Sequence, residues 1–208
     1  MAATDLVLAF TGASGAPYGV RLLEVLLAAG RSVHLVISPA AIQVAAQELE
    51  RAVRLDQFRP QDLLGSELVE RLGSKLAGLH YHHFQDFSAG IASGSFLTGG
   101  MIVCPCSMGT VAAIAHGLSQ NLVHRAADVH LKERRQLVLV PRETPLGLVQ
   151  LRNLTACAEA GAVILPAMPA FYTKPRALSD MIDFVVGRIC DQVGVEHCLL
   201  RRWSESSS

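Results

Sequence analysis

The sequence predicts an α/β fold, a three-layer sandwich in which helices cover both faces of a central parallel sheet. Short apolar runs without polar alternation recur along the chain, for example at 6–10 and 101–104. Segments with apolar residues at helical spacing separate them, for example at 18–29. Continuous apolar strands joined through helices are typical of parallel strands buried on both faces. We therefore expect a single domain over residues 1–208, with a frayed tail at about 204–208.

The individual elements follow from the same patterns, taken in chain order. Strands are expected at 6–10, 32–37, 80–85, 101–104, 137–140 and 162–165. Helices are expected at 18–29, 40–51, 107–116, 122–134, 145–160 and 178–193. Gly30 follows the first helix as a C-cap would, and Pro105 and Pro141 are expected to end buried strands. Residues 52–77 show no regular pattern.

Composition narrows the possible partners. The 18 basic and 18 acidic residues cancel, so no overall field attracts nucleic acid or an anionic membrane. No apolar run reaches the ~18–20 residues of a membrane span, and no secretory signal begins the chain. The five cysteines form no regular framework, so we expect reduced, mostly buried thiols and a cytoplasmic protein. Only 17% of residues are charged, which indicates either an unusually buried core or, as we expect, a homo-oligomer.

The loop after the first strand, Thr11-Gly-Ala-Ser-Gly-Ala-Pro-Tyr-Gly19, is the first candidate site. It opens a helix, so its backbone amides and the hydroxyl of Ser14 could hold an anion. Gly12 and Gly15 would let the backbone approach that anion closely. The loop has neither the Lys-Ser/Thr of a nucleotide-hydrolase phosphate loop nor the Gly-x-Gly-x-x-Gly spacing of a dinucleotide loop. The alternative is an ordinary tight strand-to-helix connection.

Other polar residues follow later predicted strands. Ser107-Met-Gly-Thr110 begins a helix, where Ser107 is either a plain N-cap or part of the same anion site. Arg142-Glu143 follows a buried strand, and arginine is a good phosphate ligand. On one helix face Arg125 and Lys132 flank Asp128. These basic residues could contact an anionic ligand, or they could form an ordinary solvated, salt-bridged surface. The carboxyl ends of parallel strands are where such sheets bind ligands.

The histidines at 80, 82 and 83 raise the question of a metal site. His80 and His82 would share one face of a strand. No cysteine or carboxylate stands at a supporting spacing, so we expect no metal.

Several blocks of the sequence resemble one known family, the UbiX-type flavin prenyltransferases, over about residues 6–203. The matching blocks are Thr11–Gly19, Cys104-Pro-Cys-Ser107, residues 121–135 with their Arg-Ala-Ala-Asp-Val and Lys-Glu-Arg-Arg runs, Leu139-Val-Pro-Arg-Glu-Thr-Pro145 and Pro169-Ala-Phe-Tyr172. The resemblance implies a flavodoxin-like (Rossmann-like) fold and a dodecamer built from trimers. It also implies transfer of a dimethylallyl group from dimethylallyl phosphate to N5 and C6 of reduced FMN. Phosphate is released without a metal, and the prenylated FMN serves a UbiD-type decarboxylase, as in ubiquinone biosynthesis.

The resemblance also implies roles for particular residues. The FMN site would comprise Gly12, Ala13, Ser14, Ser38, Ser107, Met108, Gly109, Thr110 and Arg142. Dimethylallyl phosphate would be held by Tyr172, Arg188, Lys132, Arg125 and Ser93, with Trp203 helping to cover the site. The catalytic residues would be Ser14, Glu48, Glu143 and Lys132. Of these, Glu143 would relay a proton to the leaving phosphate and Glu48 would handle protons near the flavin.

Two positions depart from the family pattern, and one related family is a rival. Pro39 stands where members often carry lysine, and Phe87 where some carry tryptophan near the prenyl pocket. Flavin-dependent cysteine decarboxylases share the expected fold, but they typically carry Pro-Ala-Met-Asn where this chain reads Pro166-Ala-Met-Pro169. A non-catalytic flavin carrier is the other alternative, against which Glu48, Glu143 and Lys132 argue.

Overall fold

A computed structural model describes residues 5–200 and contains a sheet in which each strand pairs in parallel with its neighbours. The strands are β1 (Leu6–Phe10), β2 (Val33–Ile37), β3 (Leu79–His82), β4 (Gly100–Cys106), β5 (Leu137–Pro141) and β6 (Val163–Ile164). Their spatial order is β3-β2-β1-β4-β5-β6. This is the doubly wound Rossmann order, in which the chain changes direction between β1 and β4. The predicted α/β class with a central parallel sheet is confirmed.

Helices connect the strands and cover both faces of the sheet. They are α1 (Ala16–Ala28), α2 (Pro39–Leu49), α3 (Pro60–Leu64), α4 (Ser66–Leu72), α5 (Met108–Ala115), α6 (Leu122–Lys132), α7 (Leu148–Glu159) and α8 (Leu178–Gln192). Side chains of Ser38, Ser107 and Asn121 cap α2, α5 and α6 by accepting hydrogen bonds from backbone N–H groups. Such caps satisfy donors that the first helical turn leaves without partners.

Alternate residues of each strand point into two separate cores. Leu6 and Leu8 of β1 belong to one core, and Val7 lies in the other. The first core contains the buried leucines of α1 and the apolar face of α8, and the second contains residues of α5, α6 and α7. Helices on both sides of a sheet whose four central strands are buried give the three layers that the sequence predicts.

Strand β4 runs through Pro105 to Cys106, so the prediction that Pro105 ends it is wrong. The pairing register with β5 shifts between Val103 and Cys106, which takes proline out of the regular ladder. The Pro105 carbonyl instead accepts hydrogen bonds from Thr11, from its backbone N at 3.2 Å and its Oγ1 at 2.9 Å. Proline is tolerated at this position because the strand uses only its carbonyl group for hydrogen bonding, so the missing N–H leaves no bond unmade.

Several predicted boundaries also differ. The irregular segment 52–77 contains the short helices α3 and α4, which bury Leu63, Leu64 and Leu68, too few residues to produce a periodic pattern. Helix α7 begins at Leu148 rather than 145, because Gly147 is extended. Strand β3 ends at His82 rather than 85, where a turn joins Asp86 N to the His83 carbonyl.

Two composition-based expectations can be compared with the structure. All five cysteines are free and four are buried, as predicted. Within residues 5–200, no helix is both long enough and apolar enough to cross a lipid bilayer.

Candidate functional site

The loops that follow β1 and β4 are joined at the point where the strand order reverses. Besides its bonds to Pro105, Thr11 accepts a hydrogen bond at its Oγ1 from the backbone N–H of Ser107, at 2.8 Å. These contacts hold the start of α5 beside the first loop. The predicted candidate residues Gly12 and Ser107 therefore lie at the same edge of the sheet, where doubly wound folds bind ligands.

A cleft of about 530 Å³ opens between the first turns of α2 and α5. Its lining includes five of the predicted cofactor residues, namely Gly12, Ser38, Ser107, Gly109 and Thr110. Two helix N-termini that face one cleft present backbone N–H groups and positive dipole ends, which suits a phosphate. The first loop lies close to the cleft wall, since a Cβ on Gly12 would come within 2.5 Å of the Ala40 Cβ. Pro39, one of the two departures from the family pattern, occupies the first position of α2.

The start of α1 differs from the expectation. Its free amides were expected to face the bound anion, but the backbone N–H groups of Gly15 and Ala16 donate to the carboxylate of Glu48 at 2.9 and 2.8 Å. This occurs because the last turn of α2 lies beside the first turn of α1. Gly15 has φ of 120°, a conformation that favours glycine. Glu48 thus contacts the first loop directly, and α2 and α5 rather than α1 offer their helix starts to a ligand.

Ser14 lies in the first loop, and Arg142 follows β5. Ser14 is half-buried within the loop, one residue after the buried Ala13. Burial chiefly raises the pKa of Tyr18 in α1, Cys104 adds to this effect, and the positive charge of Arg142 opposes it. The charge of Arg142 therefore acts on the first turn of α1.

Glu143 lies next to Arg142 after β5. Both are exposed and line a hollow of about 200 Å³ together with Leu154 and Met168. One carboxylate oxygen of Glu143 accepts a hydrogen bond from the backbone N–H of Thr144 at 3.1 Å. The side chain of Glu143 is therefore open to solvent.

The basic face of α6 is partly salt-bridged, as one of the two sequence interpretations expects. Arg125 Nη1 donates to Asp128 Oδ2 at 2.8 Å, and its Nε donates to the Ala92 carbonyl at 2.9 Å. The second bond brings Arg125 beside Ser93, which is exposed and hydrogen-bonded to Ser95. Lys132 is exposed at the last position of α6.

Tyr172 and Arg188 are not brought to the cleft between α2 and α5. Tyr172 is 63% exposed and meets Phe184 edge-on with ring centroids 5.9 Å apart. Arg188 pairs with Asp191 at 3.2 Å and lines a separate hollow of about 350 Å³. Within one chain the predicted residues thus fall into separate groups. Trp203 lies outside the described residues, and Phe87 is 49% exposed.

His124 is a titratable residue of this cleft to which the sequence analysis gave no role. It lines the cleft, is 9% exposed, and among residues 5–200 its buried Nδ1 has no hydrogen-bond partner. Burial lowers its pKa. The sequence around His124 does not indicate that its Nδ1 is buried and unpaired, because this depends on how α6 packs in the folded chain.

A cluster of imidazoles lies elsewhere, on β2 and β3. The ring of His34 stacks between those of His80 and His82, at centroid distances of 5.1 and 5.2 Å. His34 Nδ1 is 2.9 Å from His82 Nε2. In the part of the chain that the structure describes, no three histidine, cysteine or acidic residues are placed to hold a metal ion.

A doubly wound sheet with a cleft between two helix N-termini at its switch point is typical of the nucleotide-binding α/β proteins. The model of the flavoprotein family matches residues 1–190. A flavin prenyltransferase UbiX of Alkalihalophilus pseudofirmus is 47% identical over 201 residues, with 96% of each chain covered. This chain therefore belongs to the flavoprotein family and, within it, to the UbiX-type flavin prenyltransferases.

Solved structures agree with this assignment. AnUbiX (PadA1), solved with FMN and dimethylallyl pyrophosphate, superposes with a TM-score of 0.83 at 39% identity, covering 99% of this chain and 100% of that one. A dodecameric FMN-dependent Ubix-like decarboxylase from Escherichia coli O157:H7 superposes at 0.80 with 42% identity, covering 96% and 99%. The cysteine decarboxylase TvaF shares only the fold, at 17% identity and a TM-score of 0.55.

Proposed function

We propose that this chain binds reduced FMN and joins to it a dimethylallyl group taken from dimethylallyl phosphate. Bonds form at flavin N5 and C6, and phosphate leaves. The single observation that carries the proposal is the cleft between two serine-capped helix starts, in a chain whose relatives are flavin prenyltransferases. The prenylated FMN is the product handed to a UbiD-type decarboxylase. We place this reaction in the cytoplasm.

The residues of the cleft fit a flavin nucleotide. The phosphate of FMN binds at the starts of α2 and α5, where Ser38, Ser107 and Thr110 supply hydroxyl groups. Gly12 and Gly109 line the cleft, and we assign their neighbours Ala13, Ser14 and Met108 to the rest of the nucleotide. Arg142 supplies a positive charge beside the first loop. Reduced FMN bound in this cleft would supply the nucleophilic positions to which the electrophilic dimethylallyl carbon is joined.

The residues assigned to the donor phosphate work by neutralising charge. Cleavage of the carbon–oxygen bond leaves an allylic cation and moves negative charge onto the departing phosphate. Lys132, Arg125 and Arg188 stabilise that charge, and Glu143 delivers a proton to it. Ser93 binds a phosphate oxygen, and the ring of Tyr172 shelters the cation. These cations take the place of a metal, so we propose a metal-independent reaction.

The site is completed between subunits. Tyr172 and Arg188 line hollows other than the FMN cleft of their own chain, so we propose that a neighbouring copy supplies them. The exposed Phe171 beside Tyr172, at 74% exposure, suits such a contact. We propose a dodecamer built from trimers, in which Trp203 helps to cover the site and to exclude water.

Anaerobic incubation with reduced FMN and dimethylallyl phosphate, followed by mass spectrometry of the extracted flavin, tests the proposal. We expect flavin whose mass has increased by one isoprene unit, and a parallel reaction with the diphosphate identifies the preferred donor. Glu143→Gln should retain FMN binding and slow the transfer. The control Glu159→Gln, an exposed change on α7, should leave both FMN binding and the transfer rate unchanged. Unmodified flavin despite demonstrated binding of both substrates would refute the proposal.

A further inference from the structure

The side chain of Thr11 takes the place of a backbone carbonyl where the chain leaves β1. The Thr11 N–H donates to the Pro105 carbonyl at 3.2 Å, so in regular parallel pairing the Thr11 carbonyl would accept from the N–H of Ser107, two residues further along. That carbonyl instead accepts a hydrogen bond from the N–H of Ala13 at 2.9 Å, inside the first loop. The Ser107 N–H donates to Thr11 Oγ1 at 2.8 Å. The hydroxyl thus keeps the ends of the two strands joined while the main chain turns into the loop.

The surroundings of this hydroxyl fix the direction of both of its hydrogen bonds. Thr11 is 2% exposed, and its one hydroxyl proton is donated at 2.9 Å to the Pro105 carbonyl, which can only accept. A lone pair of the oxygen is then left to accept from the N–H of Ser107. Because a buried N–H without an acceptor is costly, the position of Ser107 depends on this side chain.

Thr11 does not line the FMN cleft itself, but it joins two groups that do. Gly12 follows Thr11 directly, and Ser107 caps α5 by accepting a hydrogen bond from the N–H of Thr110 at 3.3 Å. The N–H groups of Ser107 and Thr110 are therefore occupied by the protein. The amide of Gly109, which has no partner within the helix, is left for a ligand in the cleft. The hydroxyl of Thr11 therefore sets the spacing between the first loop and the start of α5.

We propose that Thr11 is a positioning residue for the flavin phosphate, whose buried hydroxyl holds the start of α5 at the distance from the first loop that the phosphate requires. The inference rests on the proposed function and adds a residue that acts through Ser107 rather than by touching the ligand. The hydroxyl is what this role needs, and the methyl group is not. Serine should therefore replace threonine here, whereas valine, which has nearly the same shape, should not.

Flavin titrations of variants at this position test the role of Thr11. Oxidised FMN and riboflavin are titrated separately into the full-length protein, and flavin fluorescence reports binding. In Thr11→Val the acceptor of the Ser107 N–H is lost. We expect about tenfold weaker binding of FMN, with nearly unchanged binding of riboflavin, which has no phosphate. Thr11→Ser should restore the affinity for FMN.

Thr98→Val is the matched control, because it removes another buried threonine hydroxyl. Thr98 is 6% exposed, its Oγ1 lies 2.8 Å from His130 Nε2, and it precedes β4, whose opposite end leads to the cleft. This change should lower the melting temperature, as Thr11→Val does, and leave the affinity for FMN unaltered. A hydroxyl at position 11 with a purely structural role would give the same result as this control.

Two results would overturn the assignment: unchanged FMN affinity in folded Thr11→Val, or equal losses for FMN and riboflavin. Should Thr11→Val not fold, Thr11→Ser and Thr11→Ala, which differ from each other only in the hydroxyl, give the same comparison. Bound FMN that is never prenylated would refute the proposed reaction while leaving the role of Thr11 in place. Wild-type protein that binds no FMN would contradict both.

Discussion

Single side chains define the site by how they complete, or fail to complete, their hydrogen bonds. The carboxylate of Glu48 satisfies two amides at the start of α1, while Nδ1 of His124 remains unpaired among the described residues. The sequence predicted the pairing of Arg125 with Asp128, because helical spacing alone puts them together. It could not predict the contacts of Glu48 or His124, since both depend on how distant elements pack.

Replacing Glu48 by alanine tests the contact with α1. The change leaves the Gly15 and Ala16 amides without their acceptor, so we expect the free energy of unfolding to fall by about 1 kcal/mol. Urea denaturation measures this. Gln47→Ala, an exposed change in the same turn of α2, should alter stability by less than about 0.5 kcal/mol. Equal stability of Glu48→Ala and wild type would show that water replaces the carboxylate at no cost.

Whole elements place the site, and their order along the chain was largely predictable. Apolar runs located the buried strands β1, β2, β4 and β5, because strands buried on both faces need continuous apolar sequence. The pattern failed at Pro105, where a register shift lets the strand continue, and in 52–77, where α3 and α4 are too short to show periodicity. Helix α7 also departs from a buried amphipathic helix, since Leu148, Val149 and Leu151 are 62%, 66% and 46% exposed.

The exposed apolar residues of α7 suit a contact between copies of this chain. Large apolar side chains exposed together on one helix are typical of contact surfaces between proteins. Introducing Leu148→Glu together with Val149→Glu places charges on this surface, and we expect a smaller particle by light scattering coupled to size exclusion. The exposed change Gln61→Glu should leave the particle size unaltered. An unchanged assembly in the double variant would place the subunit contacts on other surfaces.

At the scale of the molecule, the doubly wound topology explains why the cleft forms where it does. The reversal of strand order between β1 and β4 sends the helices that follow them, α1 and α5, to opposite faces of the sheet and leaves a crevice at the carboxyl ends of the strands. The apolar pattern indicated parallel strands without giving their order, because pairing depends on long-range packing. For the same reason the sequence could not predict that Tyr172 and Arg188 lie away from the cleft of their own chain.

Four histidines make the stability of the folded chain depend on pH. Burial lowers the pKa of His34, His82, His124 and His130 from the ordinary value of 6.5. Below that value the unfolded chain binds more protons than the folded one, so stability must fall as the pH falls. The expected slope is about 1.4 kcal/mol per pH unit for each proton taken up on unfolding.

Urea unfolding of the flavin-free protein between about pH 5 and 8 measures this dependence. The variant His34→Gln should show a smaller slope than the wild type, because it removes one of the four groups. Stability that is constant, or that rises as the pH falls, would be inconsistent with histidines buried in their neutral form.

The most direct measurement of the proposed activity follows phosphate and flavin together. Purified protein is mixed anaerobically with reduced FMN and dimethylallyl phosphate in the presence of a metal chelator. Released phosphate and prenylated flavin are then quantified over time. We predict that they appear in equal amounts at a rate that the chelator does not change. Release of phosphate without any prenylated flavin, or no reaction although both substrates bind, would contradict a metal-independent prenyl transfer to the flavin.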